Sequence, residues 1–173
     1  RSAARQLFRR AEFRRFFGRQ LRVHSEGRAA KAVVERARAQ VAEAVGASGA
    51  DVVFTSGATE AAALALAGRR LKAAPIEHDA VHAWIDPVLP VVEGRVVVDD
   101  PAGSVLQLAN SETGIVQDLP DGLAVSDITQ GFGRVPFAFA WSGVGMVFLS
   151  AHKFGGPKGV GALIFPQGTD VAA

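Results

Sequence analysis

Apolar residues recur at helical spacing between residues 28 and 45, with charged residues largely on the opposite side. This pattern predicts an amphipathic helix that stops at Gly46, because glycine is common just past a helix end. A short apolar run, Val52 to Phe54, is followed by a loop of small residues and an Ala/Leu-rich segment from Thr59 to Gly68. This order predicts a strand, a tight loop and a second helix.

Five further apolar runs are mostly continuous rather than alternating, which indicates strands that are buried on both faces. They lie at 96–98, 105–108, 123–125, 146–149 and 162–165. The predicted fold class is α/β, with a mostly parallel mixed sheet flanked by helices. Few strong helices separate the later strands, although parallel crossovers normally need a dozen or more residues.

The composition narrows the class of protein. Of the 173 residues, 49% are hydrophobic and 21% are charged, which predicts a globular domain with a core. No apolar run reaches the roughly 18 residues of a membrane-spanning helix, so we expect a cytoplasmic location and no membrane partner. Cysteine is absent, which excludes disulfides, cysteine-ligated zinc and a catalytic thiol from these residues.

Charge is concentrated at the start of the chain, where residues 1–22 contain eight arginines and the single acid Glu12. We predict a basic N-terminal arm or helix at 1–22 and a separate domain at 23–173. Such an arm could bind an anionic surface. Docking of its leucine and phenylalanine side chains on the body or on another subunit is favoured, and nucleic acid is not an expected partner.

Three features suggest chemistry. The loop Thr55–Glu60 lies where a strand leads into a helix, so its N–H groups could bind an anion, although it could equally be an ordinary helix start. Lys153 follows a buried strand, and partial burial would favour the neutral amine that condenses with an aldehyde; the alternative is a solvated loop cation. Asp127, also at a strand end, could keep a pyridine nitrogen protonated or could serve a turn.

In combination these features resemble the cysteine desulfurase branch of the class V aminotransferases, which are fold-type I enzymes that use pyridoxal 5'-phosphate (PLP). The similarity spans roughly residues 23–165. Its segments, in chain order, are Phe54–Glu60, Glu77–Val81, Ala109–Gly114, Asp127–Gln130, Ser150–Lys153 and Gly156–Leu163.

The resemblance implies a role for each matching residue. Lys153 would bind the cofactor as a Schiff base and then move the substrate's α-proton, and His78 would stack on the ring as a second catalytic residue. Asp127 would face the pyridine nitrogen and Gln130 the phenolic oxygen. The phosphate would be held by Ala58, Thr59, Ser150 and His152. The cofactor or substrate would be contacted by Asn110.

The resemblance covers only the large-domain portion of the family. It implies sulfur removal from cysteine to give alanine in a complete member, a homodimer and, for a desulfurase, a sulfur acceptor protein as partner. In the family a C-terminal region supplies the substrate-binding arginine and the sulfur-carrying cysteine. The alternatives are an inactive or fragmentary protein that acts as a binding or dimerisation module, and a class V activity other than desulfuration.

A metal site is a competing hypothesis. His78 and His82 have the spacing of a zinc-protease helix, with Asp86 as a third ligand. Pro87 limits that helix, and the Asp between the histidines is shorter than the usual Glu. We therefore expect no metal.

Overall fold

Residues 25–169 and 171 are described by a computed structural model, in which the first helix of the described residues, α1, spans Ser25–Ala44. It confirms the predicted helix, and Gly46, just past its end, has a φ of 63°. The Gly46 N–H donates to the Glu43 carbonyl and the Ala47 N–H to the Ala42 carbonyl, the two bonds of a Schellman motif. Contacts divide the chain into a unit that ends at Val41 and a unit that begins at Ala42. The basic arm predicted at 1–22, with its domain boundary, lies outside the described residues.

The second unit contains a mixed sheet. Its strands are β1 (Ala50–Thr55), β4 (Val105–Gln107), β5 (Val125–Asp127), β6 (Met146–Ser150) and β7 (Gly161–Pro166). They are ordered β1-β7-β6-β5-β4, with β5 parallel to both β4 and β6, and β7 antiparallel to both β6 and β1. The α/β class and the mixed sheet are therefore confirmed.

The apolar run at 96–98 does not join this sheet. Its first residue lies in a separate two-stranded hairpin of β2 (Val91–Val92) and β3 (Arg95–Val96). Both turn residues, Glu93 and Gly94, have positive φ, as in the tight hairpin turns that match the twist of antiparallel strands. A local hairpin thus takes up a segment whose composition alone suggests a core strand.

Three helices follow α1: α2 (Ala58–Leu66), α3 (Asp79–His82) and α4 (Phe139–Ser142). Helix α2 packs on β6 and β7 through buried alanines and Leu66. No helix occurs in residues 108–124, so the parallel strands β4 and β5 are joined by irregular chain that includes an Ala109–Val116 bridge. Among the described residues, no helix combines the length and apolarity needed to cross a bilayer.

The strand directions bring several strand ends to one edge of the sheet. Strands β4, β5 and β6 run in one direction, and β1 shares it because β7 runs antiparallel to both β1 and β6. Thr55 and Ser150 each pair with Gly161, the first residue of β7. Ligands bind beside the carboxyl ends of strands in α/β sheets, so this edge is the expected place for a site.

Candidate functional site

A cavity of about 530 Å³ lies at this edge, within the roughly 300–1,000 Å³ typical of small-molecule sites. It brings together eight of the nine residues that the sequence nominates, and their roles stay predictions. Those eight are Ala58, Thr59, His78, Asp127, Gln130, Ser150, His152 and Lys153. The other lining residues are Ser56, Gly57, Glu60, Gln107, Ala109, Ser111, Thr129, Lys158 and Gly159.

Lys153 is the last residue of a 3-10 turn, Ala151–Lys153, that follows β6 directly. The strand itself is buried throughout, whereas Lys153 is exposed. The expectation that Lys153 is partly buried is therefore wrong for this structure. The reason is local, because the turn carries the chain out of the sheet and onto the open side of the cavity.

Asp127 ends β5 and is buried. Burial raises the pKa of its carboxyl, hydrogen bonds from Thr129 lower that pKa, and the nearby His78 lowers it further. One of those bonds runs from the Thr129 N–H to Oδ1 at 2.8 Å. A cationic partner inside the cavity would stabilise the ionised form of this carboxyl, because burial disfavours its negative charge.

His78 is fixed by the start of α3. Its Nδ1 accepts the Ala80 N–H at 3.0 Å, so the ring caps the helix and carries its proton on Nε2 when neutral. The preceding Glu77 is buried, and its Oε1 accepts the Gln107 N–H at 3.0 Å. Burial raises the pKa of Glu77 to about 8, its bond to Gln107 lowers that pKa and the charge of Asp127 raises it.

The start of α2 forms one wall of the cavity. The first amide bonded within the helix is that of Ala61, which donates to the Gly57 carbonyl, so the N–H groups of Ala58 and Thr59 have no partner within it. The Glu60 carboxylate folds back and accepts the N–H and hydroxyl of Ser56, both at 2.7 Å. Ser150 lies beside this wall, because a Cβ at position 57 would be 3.6 Å from its hydroxyl oxygen. That hydroxyl lies 2.9 Å from His152 Nδ1.

Gly161 allows this wall to pack tightly on the sheet. A Cβ at position 161 would lie 2.6 Å from the Gly57 carbonyl carbon and 2.8 Å from the Leu149 oxygen. Both are backbone atoms that cannot rotate away. We therefore expect Gly161→Ala to lower the free energy of unfolding by about 1–3 kcal/mol, measured by urea denaturation. Unchanged stability would show that the Gly57 loop moves away freely.

Asn110 is the predicted cofactor residue that does not line the cavity. Its Nδ2 donates to the Ile76 carbonyl at 3.0 Å, and its Oδ1 accepts the N–H groups of Glu112 and Thr113 at 2.9 and 2.8 Å. The amide is thus occupied in shaping the following turn. Its neighbour Ser111 lines the cavity instead.

Several lining residues were not nominated from the sequence. Gln107 ends β4 beside Asp127, and the register of neighbouring strand ends could have found it. Lys158 and Gly159 belong to the glycine-rich segment, but nothing in the sequence alone turns Lys158 towards the cavity.

The metal hypothesis fails on geometry. Among the described residues, no group of three or more His, Asp or Glu side chains converges as metal ligands would. His78 precedes α3 as its cap, and that helix ends at His82 after a single turn. His78, His82 and Asp86 therefore do not form the three-ligand site of the competing hypothesis.

The fold and cavity define an α/β protein with a lysine, a buried aspartate and the start of a helix around one cleft. The family model of aminotransferase class V matches residues 10–82 and 100–172. The chain therefore belongs to the aminotransferase class-V family. The unmatched residues 83–99 include the β2–β3 hairpin.

Curated relatives point to one branch of this family. The chain is 38% identical to a cysteine desulfurase of Frankia sp. (strain EuIK1), over 82% of this chain and 44% of the relative. It is 31% identical to the cysteine desulfurase IscS of Dictyoglomus turgidum, over 90% of this chain and 48% of the relative. The chain thus spans about half the length of these relatives.

Solved structures agree. A NifS-like protein from Rickettsia africae superposes with a TM-score of 0.74 at 27% identity, covering 87% of this chain and 51% of the other. DndA from Streptomyces lividans gives 0.66 at 32% identity, covering 83% and 50%. The resemblance to the large domain of cysteine desulfurases is therefore confirmed.

Proposed function

We propose that the whole protein is a PLP-dependent enzyme that acts on a small amino acid in the manner of a cysteine desulfurase. One observation carries the proposal: the Lys153 amine and the buried Asp127 carboxylate belong to the lining of the same cavity. The relatives named above supply the substrate class, cysteine, because they are called cysteine desulfurases.

The residues present fit PLP by their chemistry. A primary amine suits an aldehyde, a carboxyl whose pKa is raised by burial suits a protonated pyridine nitrogen, and the start of α2 suits a phosphate. When bound, PLP supplies an electron sink for cleavage of bonds at the substrate's α-carbon.

The protein's own groups would act around that cofactor. Lys153 would hold it covalently and, once its amine is released, would accept and return a proton at the substrate's α-carbon. Asp127 would hold the ring nitrogen in its protonated form. His78 has only Nε2 left for proton exchange, because the Ala80 N–H occupies Nδ1.

Further contacts complete the proposed site. Gln130 would donate to the phenolic oxygen, and the phosphate would bind the first-turn N–H groups of α2 together with Ser150 and His152. The 173 residues contain no cysteine, so a sulfur-carrying thiol would come from outside them. A homodimer, a cytoplasmic location and a sulfur acceptor are part of the proposal.

The proposal is tested by finding where PLP attaches. The chain is mixed with PLP, the visible absorption of the bound cofactor is recorded, and the complex is reduced with borohydride and digested. Peptide mass spectrometry is expected to find the cofactor mass on Lys153. Attachment spread evenly over Lys31, Lys72, Lys153 and Lys158 would contradict a specific site.

Asp127→Asn is expected to weaken PLP binding without abolishing it. The amide cannot stabilise a cationic ring nitrogen, so we expect PLP to bind about tenfold to a hundredfold more weakly, as for loss of a charged hydrogen bond. Titration of the visible absorption measures this. Equal affinity would remove Asp127 from its proposed position opposite the ring nitrogen.

A further inference from the structure

One exposed arginine, Arg134, joins the two loops that carry Lys153 and Gln130. Its Nη2 donates to the main-chain carbonyl of Lys153, and its Nη1 donates to the main-chain carbonyl of Gln130 at 2.8 Å. A longer contact of 3.5 Å links Nη1 with Oε1 of the Gln130 side chain. A guanidinium holds its donors in fixed directions in one plane, so these contacts set the spacing of the loops.

The position of the Lys153 carbonyl explains why it accepts a hydrogen bond from Arg134. It lies at the end of a 3-10 turn, where the last carbonyls have no donor within the turn. The N–H groups of Phe154 and Gly156 both donate to the Ala151 carbonyl instead. Gly155, with a φ of 93°, then turns the chain away. The arginine therefore restrains the main chain at Lys153 itself.

An aromatic contact joins the same two loops independently. The rings of Phe132 and Phe154 meet edge to face, with centroids 4.8 Å apart and planes 73° apart. Such pairs stabilise a defined geometry beyond the area that they bury. The two loops thus have a hydrogen-bonded and an apolar connection, and only the first reaches residues that line the cavity.

We propose that Arg134 is a positioning residue of the cofactor site. This inference rests on the proposed function. Arg134 holds the main chain of Lys153 at a fixed distance from Gln130. Its contact with Oε1 also restrains the Gln130 amide, whose NH₂ is the group that can donate to the phenolic oxygen of the cofactor.

The test removes the Arg134 side chain and then supplies a guanidinium group from solution. Arg134→Ala is expected to weaken PLP binding about tenfold in a titration of the visible absorption, the size expected for loss of one charge-assisted hydrogen bond. Guanidinium ion at low millimolar concentration should restore much of the affinity, and urea at the same concentration should not. Arg134→Lys should stay weak, because an ammonium lacks the planar fork.

Arg95→Ala is the matched control. Arg95 is also exposed and also bridges two groups, the Val116 carbonyl at 3.2 Å and the Asp118 carboxylate at 3.0 Å, but it does not line the cavity. Its loss should leave PLP binding unchanged. Hydrogen exchange without PLP gives a second measurement, with faster exchange expected at residues 130–134 and 151–156 in Arg134→Ala alone.

The outcomes separate the two proposals. An unchanged chain that takes up no PLP overturns the proposed function and the positioning role with it. Equal PLP uptake and equal exchange in Arg134→Ala and Arg95→Ala overturn the positioning role alone. Weaker uptake that guanidinium does not restore shows a general structural defect and also overturns it.

Discussion

Lys153→Ala is expected to abolish covalent attachment of PLP. A Schiff base requires a primary amine, and alanine offers none. Of the lysines in the described chain, only Lys153 and Lys158 line the cavity. Lys153 ends the short turn that follows the buried strand β6, whereas Lys158 lies in a loop between two glycines of positive φ, Gly155 and Gly159. We therefore expect the covalent role at Lys153.

Lys158→Ala is the control for this prediction, because it removes another exposed amine from the same cavity. We expect the visible absorption of bound PLP and the borohydride-stable adduct to persist in Lys158→Ala and to disappear in Lys153→Ala. Circular dichroism should show that both variants keep the fold. Persistence of the adduct in Lys153→Ala, with loss in Lys158→Ala, would transfer the covalent role to Lys158.

The sequence predicts which residues line the cavity better than it predicts the connections around the cavity. Asp127 and Ser150 both follow continuous apolar runs, and such runs become neighbouring parallel strands whose ends share an edge. Each strand end therefore delivers its polar residue to the same cavity. This prediction requires only the order of the buried strands, which the pattern of hydrophobic residues along the chain reveals.

Other features depend on tertiary contacts that no local pattern contains. The amide of Asn110 is taken up by Ile76 and by its own turn, and Arg134 acquires its role only when two distant loops meet. Side-chain partners across the fold decide these cases, so apolar spacing along the chain carries no signal for them.

Glu77→Gln is expected to flatten the dependence of stability on pH. Burial raises the pKa of Glu77 from the ordinary 4.5 to about 8 in the folded protein. Between these values the folded chain keeps a proton that the unfolded chain releases, so the free energy of unfolding falls as pH rises. Glutamine does not titrate. The decrease in the free energy of unfolding between pH 5 and pH 8 should therefore be about 3 kcal/mol smaller in Glu77→Gln than in the unchanged chain.

The change in slope is the informative quantity, because the absolute stability also reflects how the new amide fits. Glutamine keeps an oxygen for the Gln107 N–H, but it places an NH₂ near the position of Oε2, which is buried without a partner in this structure. An unpaired buried donor costs about 1–3 kcal/mol at every pH. Glu112→Gln, which changes an exposed carboxylate in the same way, is the matched control and should keep the original slope. Urea denaturation at both pH values measures the effect, and equal slopes in Glu77→Gln and in the unchanged chain would mean that Glu77 is ionised in the folded protein across this range.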